Sequence, residues 1–159
     1  MQAGQILVAD HNGTHVIRMI GDVRLTLCVS FDKFIDSMFK GSDFCSILFD
    51  LTDAEAIDST TFGLMAKIAL LSKDRCGVVP VVYSTNPSVN RLLETMGFGD
   101  ILEIIHQPSQ VSEQCKHICI ADVDEVSAKK RVLEAHSILM QLNEANRETF
   151  RDLVNTLEG

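Results

Sequence analysis

Ser59, Thr60 and Thr61 set three hydroxyls in a row behind the carboxylate of Asp58. A serine in such a place can attack a substrate or can accept a phosphoryl group. As a nucleophile it needs a base within hydrogen-bond reach, and its commonest α/β setting is a Gly-x-Ser-x-Gly turn. That turn is absent from the sequence. Asp58 is the immediate neighbour of Ser59 and cannot serve as the missing histidine. His11, His15 and His106 are far away along the chain, so an enzyme would require one of them to approach Ser59 in space. By itself the pattern therefore predicts a helix cap and not a catalyst. Phosphorylation at such a site adds about −1.5 to −2 charge, which the free N–H groups and dipole of a helix start accommodate. The fold would survive while its docking surface turned from a neutral hydroxyl to a dianion. Cys115-Lys116-His117-Ile118-Cys119, with His106 nearby, contains metal-ligand types, but Cys-x-x-x-Cys without a second pair is not a zinc framework. No metal or cofactor is expected.

The elements around the hydroxyls follow from local pattern. Phe44 to Phe49 is an apolar strand that ends in Asp50, Thr52 and Asp53, and from Thr60 to Lys73 strong helix formers run without proline. Asp58 or Ser59 would cap that helix by accepting from its first N–H groups. At about 100° per residue, Leu64, Ile68 and Leu71, flanked by Met65, form the side to bury on a sheet. Phe62, Ala66 and Lys73 fall opposite, with Ser59 on their side. They read either as a surface covered by a neighbouring element, the C-terminal helix included, or as a docking face around a modifiable hydroxyl.

Upstream, Gln5 to Ala9 and Thr14 to Ile20 are strand-like and flank Asn12-Gly13, a strong hairpin signal. Phe34, Ile35, Met38 and Phe39 fall at helical spacing within Lys33 to Lys40, and Gly41 suits the stop. Downstream, Asp74-Arg75-Cys76-Gly77 reads as a loop with a stop signal after the motif helix, Pro80 opens or edges the Val81-Val82-Tyr83 strand, and Asn86-Pro87 with Gly97 brackets a further helix. Ile101 to Ile104 is the last strand. Strands alternating with helices predict an α/β fold with a mainly parallel sheet and one antiparallel pair.

The chain of 159 residues has a net charge of −8, with 46% hydrophobic and 23% charged residues. Those values describe an ordinary soluble globule, and the acidity argues against a nucleic-acid backbone as ligand while favouring a basic protein partner. No membrane span or signal peptide is read, so a cytoplasmic location is expected. Cys28, Cys45 and Cys76 read as small, buried or half-buried thiols of a reducing compartment.

Asp58-Ser59-Thr60-Thr61-Phe62-Gly63 resembles the Asp-Ser-Ser/Thr-Gly-Leu-Gly signature of the STAS-domain anti-sigma factor antagonists, with Thr61 where the family usually has Gly. The order of elements around it, through Asn86-Pro87-Ser88-Val89-Asn90-Arg91-Leu92-Leu93, Met96-Gly97-Phe98 and Ile101-Leu102-Glu103-Ile104, is similar as well, over about residues 5 to 105. The resemblance implies a STAS-like fold with an N-terminal hairpin and Ser59 as the phosphorylated residue. Asp58, Thr60, Thr61, Phe62, Gly63 and Ala66, together with Asp22 and Arg24 at the end of the hairpin, would form the partner-docking surface. It also implies an anti-sigma factor as partner, a serine kinase that modifies Ser59 and a metal-dependent phosphatase that resets it. Gly21 to Cys28 and the long tail resemble the HsbA-like subgroup, which implies kinase and phosphatase together in one response-regulator protein and a FlgM-like anti-sigma factor downstream. A second reading keeps the STAS-like fold as an unphosphorylated docking subunit of a transport or signalling assembly.

The division that follows is a domain over residues 1–105, a polar linker over 106–124, part of it apolar enough to lie on the domain, and an amphipathic helical extension over 125–159. In the extension Val132, Ala135, Leu139, Leu142, Leu153 and Leu157 repeat near heptad spacing, interrupted at Asn146 and Thr149. It reads as one long helix or as two broken near Asn143 to Asn146. Leu139 and Leu142 are expected at its centre, and Glu134, Glu144 and Arg147 in solvent. The stripe is expected to pack on its own domain, on a partner, or on a second copy as a homodimer. A fragment cut after Glu103 or Ile105 is expected to fold.

Overall fold

The computed structural model describes residues 3–11, 13–24, 28–40, 46–109, 116–117 and 125–158. Strands β1 (Gln5–His11) and β2 (Thr14–Val23) form the expected hairpin, paired from Gln5↔Ile20 to His11↔Thr14. Gly13 takes φ 88° at the turn and donates its N–H to Asp10 Oδ1 at 3.1 Å. Helix α1 (Cys28–Lys40) then leads to β3 (Ser46–Asp50), which lies parallel to β2. The short β4 (Ala54–Ile57) follows, then α2 (Ser59–Cys76), β5 (Val81–Tyr83), α3 (Pro87–Thr95), a 3-10 turn at Phe98–Asp100 and β6 (Glu103–Ile105). The path of hydrogen-bonded strands is β6-β5-β3-β2-β1-β7, where β7 is the pair Lys116–His117. Its centre is parallel, each parallel neighbour being reached through a crossover, and β1 is antiparallel to both β2 and β7.

Two strands depart from the expected order. β4 lies where the sequence pattern announces no strand, because four residues between aspartates carry too little periodicity to show one. Its partner is the far end of β2, where the register shifts between Gly21 and Asp22 and Gly21 adopts φ 73°. That shift lets one strand serve β3 along most of its length and β4 at its end. β7 falls inside the expected linker and pairs with Leu7 and Val8 of β1, so this part of 106–124 does lie on the domain. Helix α1 begins earlier than Lys33, and α2 runs past Lys73 through the expected loop to Cys76, where Gly77, in the left-handed region at φ 67°, stops it. Asn86 caps α3 ahead of Pro87, and Gly97 follows its end at φ 87°.

The C-terminal segment is two helices, α4 (Glu125–Leu142) and α5 (Glu144–Glu158). They break at Asn143, whose Oδ1 accepts from Asn146 N at 2.8 Å and so caps the second helix. The break resets the helical phase. Phe150 and Val154 turn inward while Leu153, expected in the seam, is 40% exposed. Asn146, which interrupted the seam, is buried and donates Nδ2 to Leu139 O and Met96 O, both at 2.8 Å. Leu142 is half-buried, Glu144 and Arg147 are exposed, and Glu134 is half-buried and salt-bridged instead of solvated. Cys76 is exposed, unlike the buried thiol expected, and Cys45, Cys115 and Cys119 lie outside the described residues, as does Gly41.

Leu139 and Phe150 belong to the same apolar cluster as Ile17, Phe49, Val82, Phe62 and Ile68. The tail therefore completes the core of the sheet domain, the first of the expected outcomes, and a second copy would find Leu139, Phe150 and Val154 already inside. No helix among the described residues is long and apolar enough to cross a membrane. Leu139→Ala is expected to cost about 2–5 kcal/mol, seen in urea as a lower midpoint of one shared transition. A separate early transition would show that the tail unfolds by itself.

Candidate functional site

β4 carries the chain to Asp58, and three contacts fix its position there. Ile57 pairs with Val23, Asp58 N donates to Val23 O at 3.0 Å, and Asn86 Nδ2 reaches Ala54 O and Glu55 O at 3.3 and 3.2 Å. Asn86 also caps α3 through Oδ1, accepting from Ser88 N at 2.9 Å. One side chain thus ties the start of α3 to the strand that delivers the hydroxyls.

Asp58 is the cap of α2. Its extended backbone (φ −78°, ψ 164°) turns Oδ1 inward, where it accepts from Thr61 N at 2.9 Å and Thr61 Oγ1 at 2.7 Å. Thr61 is fully buried by this arrangement and Thr60 is buried beside it. Ser59, the first residue of α2, is the one of the three hydroxyls left partly exposed. Asp22 and Arg24 lie where β2 meets β4; Asp22 pairs with Ala56 in the ladder, and Arg24 Nε reaches Asp22 Oδ2 at 2.6 Å with its side chain largely in solvent.

The expected docking face is already occupied. Phe62, Gly63 and Ala66 are buried, and the Phe62 ring lies 5.7 Å from that of Phe98. Leu64, Met65 and Ile68 are buried as well, so α2 is enclosed on both sides. Gly63 is where α4 approaches. A Cβ at that position would stand 2.4 Å from Ala135 O and 2.5 Å from Ala135 Cβ, so only glycine permits this contact. Around it runs a charged cluster. Lys67 Nζ bridges Asp32 Oδ1 of α1 and Glu134 Oε1 of α4 at 2.9 and 2.8 Å, and Arg131 of α4 pairs with the buried Asp32. Removing one member would strand charge in a half-buried place.

From α4 a residue absent from the expected site reaches it. His136, 2% exposed, sets Nε2 at 2.7 Å from Ser59 Oγ and Nδ1 at 2.7 Å from Val132 O. A carbonyl oxygen only accepts, so Nδ1 carries the proton, and in the neutral ring Nε2 accepts from the Ser59 hydroxyl. Phe150 closes the other side of the imidazole, edge to face, with centroids 4.9 Å apart. The polarity is that of a hydroxyl and its base, while the burial of His136 against Phe150 leaves the ring little room to serve a substrate. The available signal was positional, since 136 falls four residues after Val132 and three before Leu139 on the apolar stripe. His106, by contrast, lies near Glu94 at 3.8 Å, and His15 sits in β2, where burial lowers its pKa below 6.5 against the pull of Asp10.

No protein-family model and no curated protein matches this chain.

Because the cap is Asp58, Ser59→Ala acts through His136. It strips a buried nitrogen of its partner, at an expected cost of about 1–3 kcal/mol in urea unfolding. The double variant Ser59→Ala, His136→Ala should show coupling between the two positions, and strict additivity would disprove the bond.

Proposed function

We propose that this chain is a phosphorylation-switched anti-sigma factor antagonist of the STAS type, with Ser59 as the acceptor. The observation that carries this reading is the division of labour among three adjacent hydroxyls. Thr61 is consumed by the Asp58 cap and Thr60 is buried, whereas Ser59 stands partly exposed at the first residue of α2, where the helix start tolerates an anion. The α/β fold with a parallel-centred sheet and an antiparallel hairpin agrees with it. In this cycle the unmodified face binds an anti-sigma factor, FlgM-like in chemistry, or the switch kinase. The phosphorylated face repels them, and a metal-dependent phosphatase, carried with the kinase in one response regulator, resets it. Asp22 and Arg24 would form the rim of the docking surface. The occupied state of Phe62, Gly63 and Ala66 favours the second reading, a docking subunit that is never modified.

Co-expression with a cognate serine kinase followed by phosphopeptide mapping separates the two. The modification is expected on Ser59, absent from Ser59→Ala, and Ser59→Asp is expected to weaken anti-sigma binding. Phosphate on Thr60 or Thr61 alone would sink the assignment, and covalent labelling of Ser59 by a fluorophosphonate would assign the Ser59–His136 pair to catalysis.

A further inference from the structure

Ser59 is engaged by the chain's own tail. A hydrogen bond of 2.7 Å to His136 leaves no space between Oγ and Nε2 for phosphorus and three oxygens. Two ways remain to place a phosphoryl group on that oxygen. It can occupy the volume now held by the imidazole, which is pinned behind by Phe150 and by Val132 O. Alternatively, the serine can rotate outward, which breaks the bond and leaves a buried His136 nitrogen without a partner. Helix α4 cannot yield by sliding, because Ala135 already sits against the bare backbone of Gly63. The new charge would also lie beside Asp58. Each route weakens the seat of α4 on α2.

We propose that docking of α4 and phosphorylation of Ser59 are mutually exclusive, which makes the helix pair α4–α5 an intramolecular competitor for the switch face. This rests on Ser59 being the acceptor. A partner that reads Gly63 must displace α4 to reach it, so the tail sets the threshold for binding of the unmodified form. The phosphate then excludes tail and partner alike. Linkage makes the effect reciprocal: whatever factor phosphate imposes on α4 docking, docked α4 imposes on the affinity of Ser59 for phosphate.

The test needs no partner. Phosphoserine is installed at position 59 of the full chain by codon reassignment, and amide hydrogen exchange is followed by mass spectrometry. Amides of α4 are expected to lose protection by about tenfold or more, while those of β2 and β3 keep theirs. Phosphoserine at the exposed Ser88 should leave α4 unchanged. Ala135→Leu, which wedges α4 away from Gly63 and leaves α2 native, should raise α4 exchange without any phosphate and speed phosphorylation of Ser59 by the cognate kinase. Protection of α4 that is equal or greater with phosphoserine at 59 would overturn the proposal, since the phosphate would then be held beside His136; the acceptor assignment would stand. Loss of protection in β2 and β3 together with α4 would also overturn it, because the tail would not be a separable competitor. Failure of the kinase to modify Ser59 in both the native and the Ala135→Leu chain removes the acceptor assignment itself.

Discussion

The packing of the C-terminal helices on α2 depends on the missing side chain of Gly63. Two helices can approach with backbone against Ala135 only where one of them has no Cβ, and this single contact sets how α4 lies on α2. The neighbouring interactions follow from it. One turn along α2, Lys67 is brought between Asp32 and Glu134, and Arg131 reaches the same Asp32 from α4. One turn the other way, His136 is brought to Ser59. An apolar contact thus fixes the register of three polar ones, each too dependent on geometry to fix it alone.

The hydroxyl end of α2 has a second set of supports that are independent of the tail. The shift in β2 at Gly21 frees its last residues to hold β4, and Asn86 clamps β4 from the side of α3. Asp58 then accepts from both the N–H and the hydroxyl of Thr61. Ser59 is therefore presented by rigid elements, and its environment is decided by what lies over it. That separation suits a switch. A change on Ser59 can alter what docks above without disturbing what holds it below.

The break at Asn143 shows how a sequence irregularity becomes a packing device. As part of one continuous helix, the stripe from Val132 to Leu157 would have run beyond the surface available to it. Capping α5 at Asn143 folds the segment back, and Asn146 fastens the turn to Leu139 and Met96. The outcome is a helix pair whose inner residues, Leu139 and Phe150, lie in the common core.

What the sequence by itself determined is local. The hairpin at Asn12-Gly13, the Asp58 cap, the bracket of Asn86-Pro87 and Gly97, and the stop at Gly77 each depend on the conformational preferences of a few adjacent residues, and all can be read without knowing the fold. Apolar periodicity marked Leu64 and Ile68 as buried positions of α2 for the same reason. What tertiary structure alone decided is every relation across long stretches of chain. The short strands β4 and β7 exist because β2 and β1 offer them partners, not because their few residues demand it. The far side of α2 had two readings in its sequence, since Phe62 and Ala66 suit an open face or a covered one, and only the packing of Phe98 on Phe62 and of α4 on Gly63 chose between them. His136 was invisible as a site residue because 77 positions separate it from Ser59, and no local preference carries information over such a separation. The residue type at position 63 was legible from the start, but what a glycine there permits depended on the helix that came to meet it.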